Sequence, residues 1–388
     1  MSAPVFADLI GQEHVIQQLE RAIHSSPKDS GQEMSHAWLF TGPPGSGRSN
    51  IAKAFAAALI CRERGCGSCE ACKTALAGTH PDVELVDLSG LSIKIDEIRE
   101  IVSRSSWGAS TSNWRVVVIE DCDRMTEAAA NALLKALEEP GASTIWLLCA
   151  PTLHDVLPTI RSRCRHLSLK TPTTSEITGY LVEKLDVSYD EAKLAAEISQ
   201  GHIGKTIRLL KTPESKNIRK KTFEILFSIK SENDAIRAAT QLIQLSQDQV
   251  ALRTAASVEK EMDELRAMMQ NGSKGMLSGG AKAVKDLERD LKTRSIRSIK
   301  DELDGYLLDY TSFFRDCLMT DGPWINSDLP KEISTYSKQI PPESISTLLT
   351  KLNEIRERLA TNTSQPLLLE AFFTFFALHN RGNQHPIL

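Results

Sequence analysis

The chain has 388 residues, 41% of them hydrophobic and 25% charged. At about 150 residues per domain that length predicts two or three domains, and the composition excludes wholesale disorder and a collagen-like fibre. Lys plus Arg number 46 and Asp plus Glu 50, a net charge of −4, which excludes attachment to nucleic acid or membrane by global charge alone. No uncharged stretch approaches the roughly 20 apolar residues of a membrane helix, and the opening segment with Asp8 lacks a signal-peptide pattern. Of the eight cysteines, four crowd into positions 61–72 while Cys122, Cys149, Cys164 and Cys317 stand singly. That distribution predicts one metal site in a reducing, cytoplasmic setting rather than a disulfide framework.

Taken in chain order, residues 1–171 alternate strand and helix patterns, which predicts a mostly parallel α/β sheet with helices on both faces. The expected strands are Ala37–Thr41, Val83–Val86, Arg115–Ile119, Ile145–Cys149 and His166–Leu169; helical patterns lie between them at Asn50–Ile60, Ile95–Ser103 and Glu127–Glu139. Beyond Pro172 the strands stop. Residues 172–211 read as a small helical lid domain, with helices over Ser175–Leu185 and Ser188–Gln200. The polar, proline-bearing segment 211–217 reads as a linker. Residues 212–388 read as an all-helical domain, in which Ile296, Ile299, Leu303, Tyr306, Tyr310, Phe313 and Cys317 recur by threes and fours. Within it, Asn271–Gly280 is expected to be a flexible loop, and the charged run Lys282–Lys300 is either a solvated helix face or a surface for DNA.

Four constellations carry chemistry. Gly42, Pro43, Pro44, Gly45, Ser46, Gly47, Arg48 and Ser49 follow a predicted strand and open a predicted helix, the context that makes a glycine-rich loop a phosphate cradle rather than an ordinary turn. Its expected lysine is Arg48, longer and planar, and so a poor replacement for a point contact between two phosphates. The apolar run Val116–Ile119 ends in Glu120 and Asp121, where a P-loop NTPase holds magnesium and polarises water. The two acids stand in reversed order, which displaces each carboxylate; they also fit the plainer role of acids capping a strand. Cys61, Cys66, Cys69 and Cys72 have the spacing C-x4-C-x2-C-x2-C. Four thiolates so close together can close a tetrahedral, structural zinc site, with an iron–sulfur cluster or free thiols as alternatives. Arg161, Ser162, Arg163 and Cys164 precede the last strand, where an arginine is either surface charge or a group aimed at a neighbouring subunit's nucleotide.

Together these residues resemble the clamp-loader branch of the AAA+ family found in bacterial DNA polymerase III. The opening Phe6–Glu13 is similar to the family's amino-terminal box, and Asn131–Pro140 and Ser162-Arg163-Cys164 follow in family order. The likeness is specific over residues 5–210 and weak beyond. It implies an AAA+ fold with a zinc knuckle (61–72), a lid and an all-helical collar that serves oligomerisation. It also implies a heteropentamer with gamma/tau and delta subunits, which places a sliding clamp on primed DNA. Carried over by position, Arg163 is the finger offered in trans to a neighbour's ATP. Ala150-Pro151 stands where motor subunits have a threonine pair, and Gly204 where they have a second sensor arginine. With Arg48 and the Glu120-Asp121 order, these departures imply a stationary subunit without ATP turnover of its own, its ATP and magnesium site degenerate. An active AAA+ motor subunit is the alternative, and a free-standing zinc module binding nucleic acid is a more remote one.

Overall fold

Helices cover both faces of the sheet, so its central strands are buried along nearly their whole length rather than at alternate positions. The computed structural model describes residues 3–24, 34–86, 93–141, 143–271, 277–319, 322–359, 361 and 363–380. Among them, β1 (Ala37–Thr41), β2 (Val83–Val86), β3 (Arg115–Ile119), β4 (Thr144–Ala150) and β5 (Arg165–Ser168) form one five-stranded sheet. Its order is β2-β3-β4-β1-β5, and every pairing is parallel. This is the α/β architecture expected from the sequence.

The chain divides into two units, Met1–Arg208 and Leu209–Leu388. In the first, the helices are α1 (Glu13–His24), α2 (Arg48–Ile60), α3 (Glu70–Leu76), α4 (Ile95–Ser105), α5 (Glu127–Glu138) and α6 (Pro158–Arg161), then α7 (Thr174–Leu185), α8 (Tyr189–Ser199) and α9 (Ile203–Lys211). Successive residues of β1 point to opposite faces. Trp38 and Phe40 pack with Ile51 and Phe55 of α2, whereas Leu39 packs with Ile98 of α4 and Leu133 of α5. The Trp38 and Phe55 rings meet edge to face at 5.1 Å. Strand β5 lies at the edge and exposes His166 and Ser168, polar residues that discourage pairing with another chain. The loop before β3 is clasped by the fully buried Asp82, which accepts hydrogen bonds of 2.6–2.8 Å from Ser110, Thr111 and Ser112. Burial alone would raise its carboxyl pKa, but the Thr111 and Ser110 bonds outweigh burial and hold it well below the usual carboxylate range.

Helices α7 and α8 begin where side chains can cap them. Thr173 and Glu176 form a reciprocal capping box on α7, and Ser188 caps α8. The second unit is helical throughout its elements: α10 (Pro213–Phe227), α11 (Glu232–Asn271), α12 (Leu277–Leu318), α13 (Pro330–Gln339), α14 (Pro342–Leu359) and α15 (Gln365–Asn380). The apolar stripe of α12 is its seam: Leu303, Tyr306, Tyr310, Phe313 and Cys317 are buried, while Ile296 at its outer end is exposed.

Two local expectations are corrected. Residues 211–217 are not a linker, because α10 begins at Pro213 and leaves only Thr212 after α9. Proline suits the first helical turn, where its missing N–H has no intrahelical partner to lose. In the expected loop Asn271–Gly280, residues 272–276 lie outside the described residues, Asn271 ends α11, and Leu277–Gly280 already belong to α12.

Candidate functional site

The phosphate loop joins β1 to α2. Gly45 and Gly47 have φ of +83° and +90°, the left-handed region that costs other residues steric energy. Gly47 is the N-cap of α2 and gives no side-chain cap, so the first N–H groups of the helix are left for another acceptor. Pro43 and Pro44 form the exposed outer rim, with the Pro43 carbonyl accepting from Ser46 N–H at 3.1 Å. Ser46 is buried and its Oγ has no hydrogen-bond partner; one guanidinium nitrogen of Arg48, Nη1, is likewise buried without one. Ser49 lies in the first turn of α2. Gln12, 1% exposed, donates to the Lys170 carbonyl at 2.8 Å and lies 3.5 Å from that of Ser46, so it stitches the loop to the segment after β5. The first backbone N–H groups of α2 thus face the loop without a side-chain cap, as they would to meet an anion.

The surrounding side chains are committed elsewhere. Glu120 follows β3 and forms a 2.6 Å ion pair with Lys53 of α2, which neutralises the carboxylate. Asp121 lies 3.7 Å from Arg124. Asp123 has a buried oxygen without a partner, and burial, with the Asp121 charge second, pushes its carboxyl pKa up. Where a threonine pair would help a motor, Gly42 N–H donates to the Pro151 carbonyl at 3.1 Å. Gly204, in the first turn of α9, reaches nothing, but His202 before it reaches the loop. A Cβ on Gly45 would lie 2.5 Å from the His202 ring. Burial lowers the His202 pKa, with Arg208 and Lys205 adding to the effect, and its Nδ1 accepts from Lys205 N–H at 3.2 Å. A neutral imidazole thus lies against the phosphate loop.

Arg163 sits between α6 and β5, on the turn that leads into the edge strand. Its Nη1 donates to the Thr159 carbonyl at 2.8 Å and to Ser162 Oγ at 3.2 Å, and its Nη2 pairs with Glu138 at the end of α5. Its neighbours are occupied differently. Arg161 donates to the Leu153 carbonyl at 3.3 Å, and Arg165 lies 4.9 Å above the Trp38 ring. Burial pushes the Cys164 thiol up to about 12, so it is inert near neutral pH.

At the far end of α2 stands the cysteine set. Cys61 is the C-cap of α2 and Cys69 the N-cap of α3, joined by a turn in which Arg64, Gly65 and Gly67 all have positive φ. The four Sγ atoms of Cys61, Cys66, Cys69 and Cys72 lie within 4.8 Å of one another, and Cys61 is 3.7 Å from both Cys66 and Cys69. A tetrahedron with zinc–sulfur bonds of about 2.3 Å has edges of about 3.8 Å, so the donors fit that ion. Backbone N–H groups of Cys69 and Cys72 donate to Cys66 and Cys69 sulfurs at 3.4 Å. The Cys69 backbone bond, followed by that of Ser68, lowers the Cys66 thiol to about 6, whereas burial raises Cys72. Four thiolates would saturate the ion and leave no open position, which makes its chemistry structural. The 13 residues of α2 hold this centre about 20 Å from the phosphate loop.

Sequence reasoning brought Gly42–Ser49 and the reversed acids to one place. It gave no role to His202, Lys53 or Glu138, whose partners are distant in the chain.

Comparison with known proteins agrees with this geometry. Residues 11–173 match the family model described as DNA polymerase III, delta subunit. Over that stretch the chain is similar to subunits of bacterial DNA polymerase III. Over 195 residues it is 35% identical to the delta-prime subunit of Bacillus subtilis, covering 50% of this chain and 59% of that protein. Over 214 residues it is 32% identical to the tau subunit of the same organism, covering 53% of this chain and 37% of tau. The chain thus spans between about a third and three fifths of these relatives' length. A gamma subunit-related protein of Thermotoga maritima superposes loosely, with a TM-score of 0.43 and 16% identity over 95% of this chain and 99% of that one.

Proposed function

We propose that this chain is a delta-prime-type stator of the DNA polymerase III clamp loader, contributing Arg163 to a neighbouring subunit's ATP site. One contrast carries the reading. Its own phosphate loop has a complete backbone but Arg48 in place of lysine, Glu120 bound to Lys53 and His202 against Gly45. Arg163, by contrast, stands 35% exposed on a turn, held only by surface contacts. A finger of this kind stabilises the charge that develops on a transferring phosphoryl group. The partners of this reading are gamma/tau and delta subunits in a heteropentamer, acting on a sliding clamp and primed DNA. Zinc at Cys61, Cys66, Cys69 and Cys72 shapes the knuckle, and the helices of 212–388 serve assembly as a collar.

The test is Arg163→Ala in the reassembled loader. Trans-acting fingers are worth about 10³–10⁵ in turnover at one site; because other sites keep their own fingers, the assembly's ATPase should fall severalfold, with the complex intact. Undiminished ATPase and clamp loading would sink the proposal. Arg99, exposed on α4, is a better control than Arg161 or Arg165, which have local structural work. A second reading, an active motor subunit, is favoured by the tau match at 32% identity. It requires steady-state ATP hydrolysis by the isolated chain, abolished by Ser49→Ala; the stator reading expects none.

A further inference from the structure

Arg163 is not simply displayed on the surface. Its guanidinium is held at two points from its own turn, by the Thr159 carbonyl and Ser162 Oγ, and at a third from another element, by Glu138. Glu138 is the last residue of α5, where the free carbonyls of a helix C-terminus already concentrate negative charge. A carboxylate there is poorly placed unless a cation faces it, and Arg163 is that cation. We propose that Glu138 is a positioning residue for Arg163. It parks the guanidinium against the end of α5 and yields it when a neighbouring subunit presents a nucleotide phosphate.

The exchange is physically easy in one direction only. The two side chains are 35% and 48% exposed, and a surface pair of this kind biases an equilibrium by no more than about fivefold. A nucleotide phosphate offers more charge and two oxygens in the planar spacing that a guanidinium matches, so it displaces a single carboxylate oxygen. Parked, Arg163 also makes its two Nη1 bonds, so release is a side-chain rotation that breaks them together with the Glu138 pair. Glu138 thus sets the fraction of time the finger is ready, and the apparent affinity for the neighbour's nucleotide falls by that fraction.

This inference rests on the finger reading above, and two measurements separate the failure of one from that of the other. The first uses the isolated full-length chain and phenylglyoxal, an arginine reagent, with modification read by peptide mass spectrometry. Glu138→Gln, which preserves side-chain shape and helix propensity, should speed labelling of Arg163 about threefold by removing the ion pair, while Arg99 labels at its unchanged rate. Equal rates at Arg163 overturn the parking contact whatever the loader does. The second uses the reassembled loader. Glu138→Gln should lower the KM for ATP about two- to fivefold with little change in kcat, and should do nothing when Arg163 is already alanine. A KM shift that persists in the Arg163→Ala background overturns this proposal and leaves the finger intact. An Arg163→Ala loader with unchanged ATPase overturns the finger, and this proposal with it.

Discussion

The two ends of α2 hold their sites by different means. At the amino end the phosphate loop is built from backbone: positive-φ glycines, a bare N-cap and the stitch from Gln12. At the carboxyl end the knuckle is built from side chains, four sulfurs brought within 4.8 Å. A backbone site persists when the chemistry around it changes, which is how Arg48, the Lys53–Glu120 pair and His202 sit in a loop that still has its shape. A side-chain site has no such reserve, since a four-thiolate metal centre would lose its coordination with any one donor. Fold and chemistry are therefore separable at one end of a single helix and inseparable at the other.

The largest expected effect is at the side-chain end. Cys69→Ser should release the roughly one equivalent of zinc expected in purified protein, read by elemental analysis, because metal binding and local folding are linked. Cys69 also caps α3 by accepting from Cys72 N–H, so helix start and metal site fail together. A loss of about 3 kcal/mol, well short of a full structural zinc affinity, would lower the Tm of the first unit by about 6–12 °C. Metal-free wild-type protein with an unchanged Tm would erase the contrast between the two ends.

At the backbone end the expected effects are comparable or smaller, and two glycines divide them. A Cβ at Gly47 meets nothing within 4 Å, whereas one at Gly45 meets His202 at 2.5 Å. Gly47→Ala therefore measures backbone strain alone, about 1–2 kcal/mol. Gly45→Ala adds the collision, for a total of about 2–4 kcal/mol by urea unfolding. Adding His202→Ala removes only the nearest contact, because His202 Cα and Cβ also lie 2.8 Å from a Cβ at Gly45. It should therefore recover only part of the extra loss, the non-additivity expected of residues in contact. Strictly additive losses would mean that the imidazole does not rest on the loop.

These contacts mark the boundary of what was legible in the sequence. The strands could be read because a sheet covered on both faces leaves unbroken apolar runs, and Val116–Ile119 is fully buried. The loop, the acids and the cysteines stand out as groups because each is local, marked by spacing within a dozen residues, whereas Arg163 is singled out only by the family resemblance. Segment 211–217 was misread because polarity and a proline describe a linker and a helix start equally well, and burial partners decide between them. His202 on Gly45, Lys53 on Glu120 and Glu138 on Arg163 join residues 157, 67 and 25 positions apart. No periodicity links such pairs; the sheet order brings them together.

The smallest expected effect is a pH dependence that also reports on His202. Burial, followed by the Arg208 and Lys205 charges, lowers its pKa in the folded protein, while the unfolded chain keeps a value of about 6.5. Between the lowered value and about 6.5, the unfolded state binds the proton more readily, so stability rises with pH through this window. Above it both states are neutral and the contribution is constant; as pH falls below about 6.5, stability is lost until the folded-state value is passed. His202→Asn keeps a smaller polar side chain without the titration. Unfolding midpoints of wild type measured from pH 7.5 to 5 should therefore fall more steeply than those of His202→Asn. The variant removes only this group's share, leaving the slope from other histidines and carboxylates. Parallel curves would mean that His202 is as solvated in the folded chain as in the unfolded one, and that the phosphate loop is open rather than covered by a neutral imidazole.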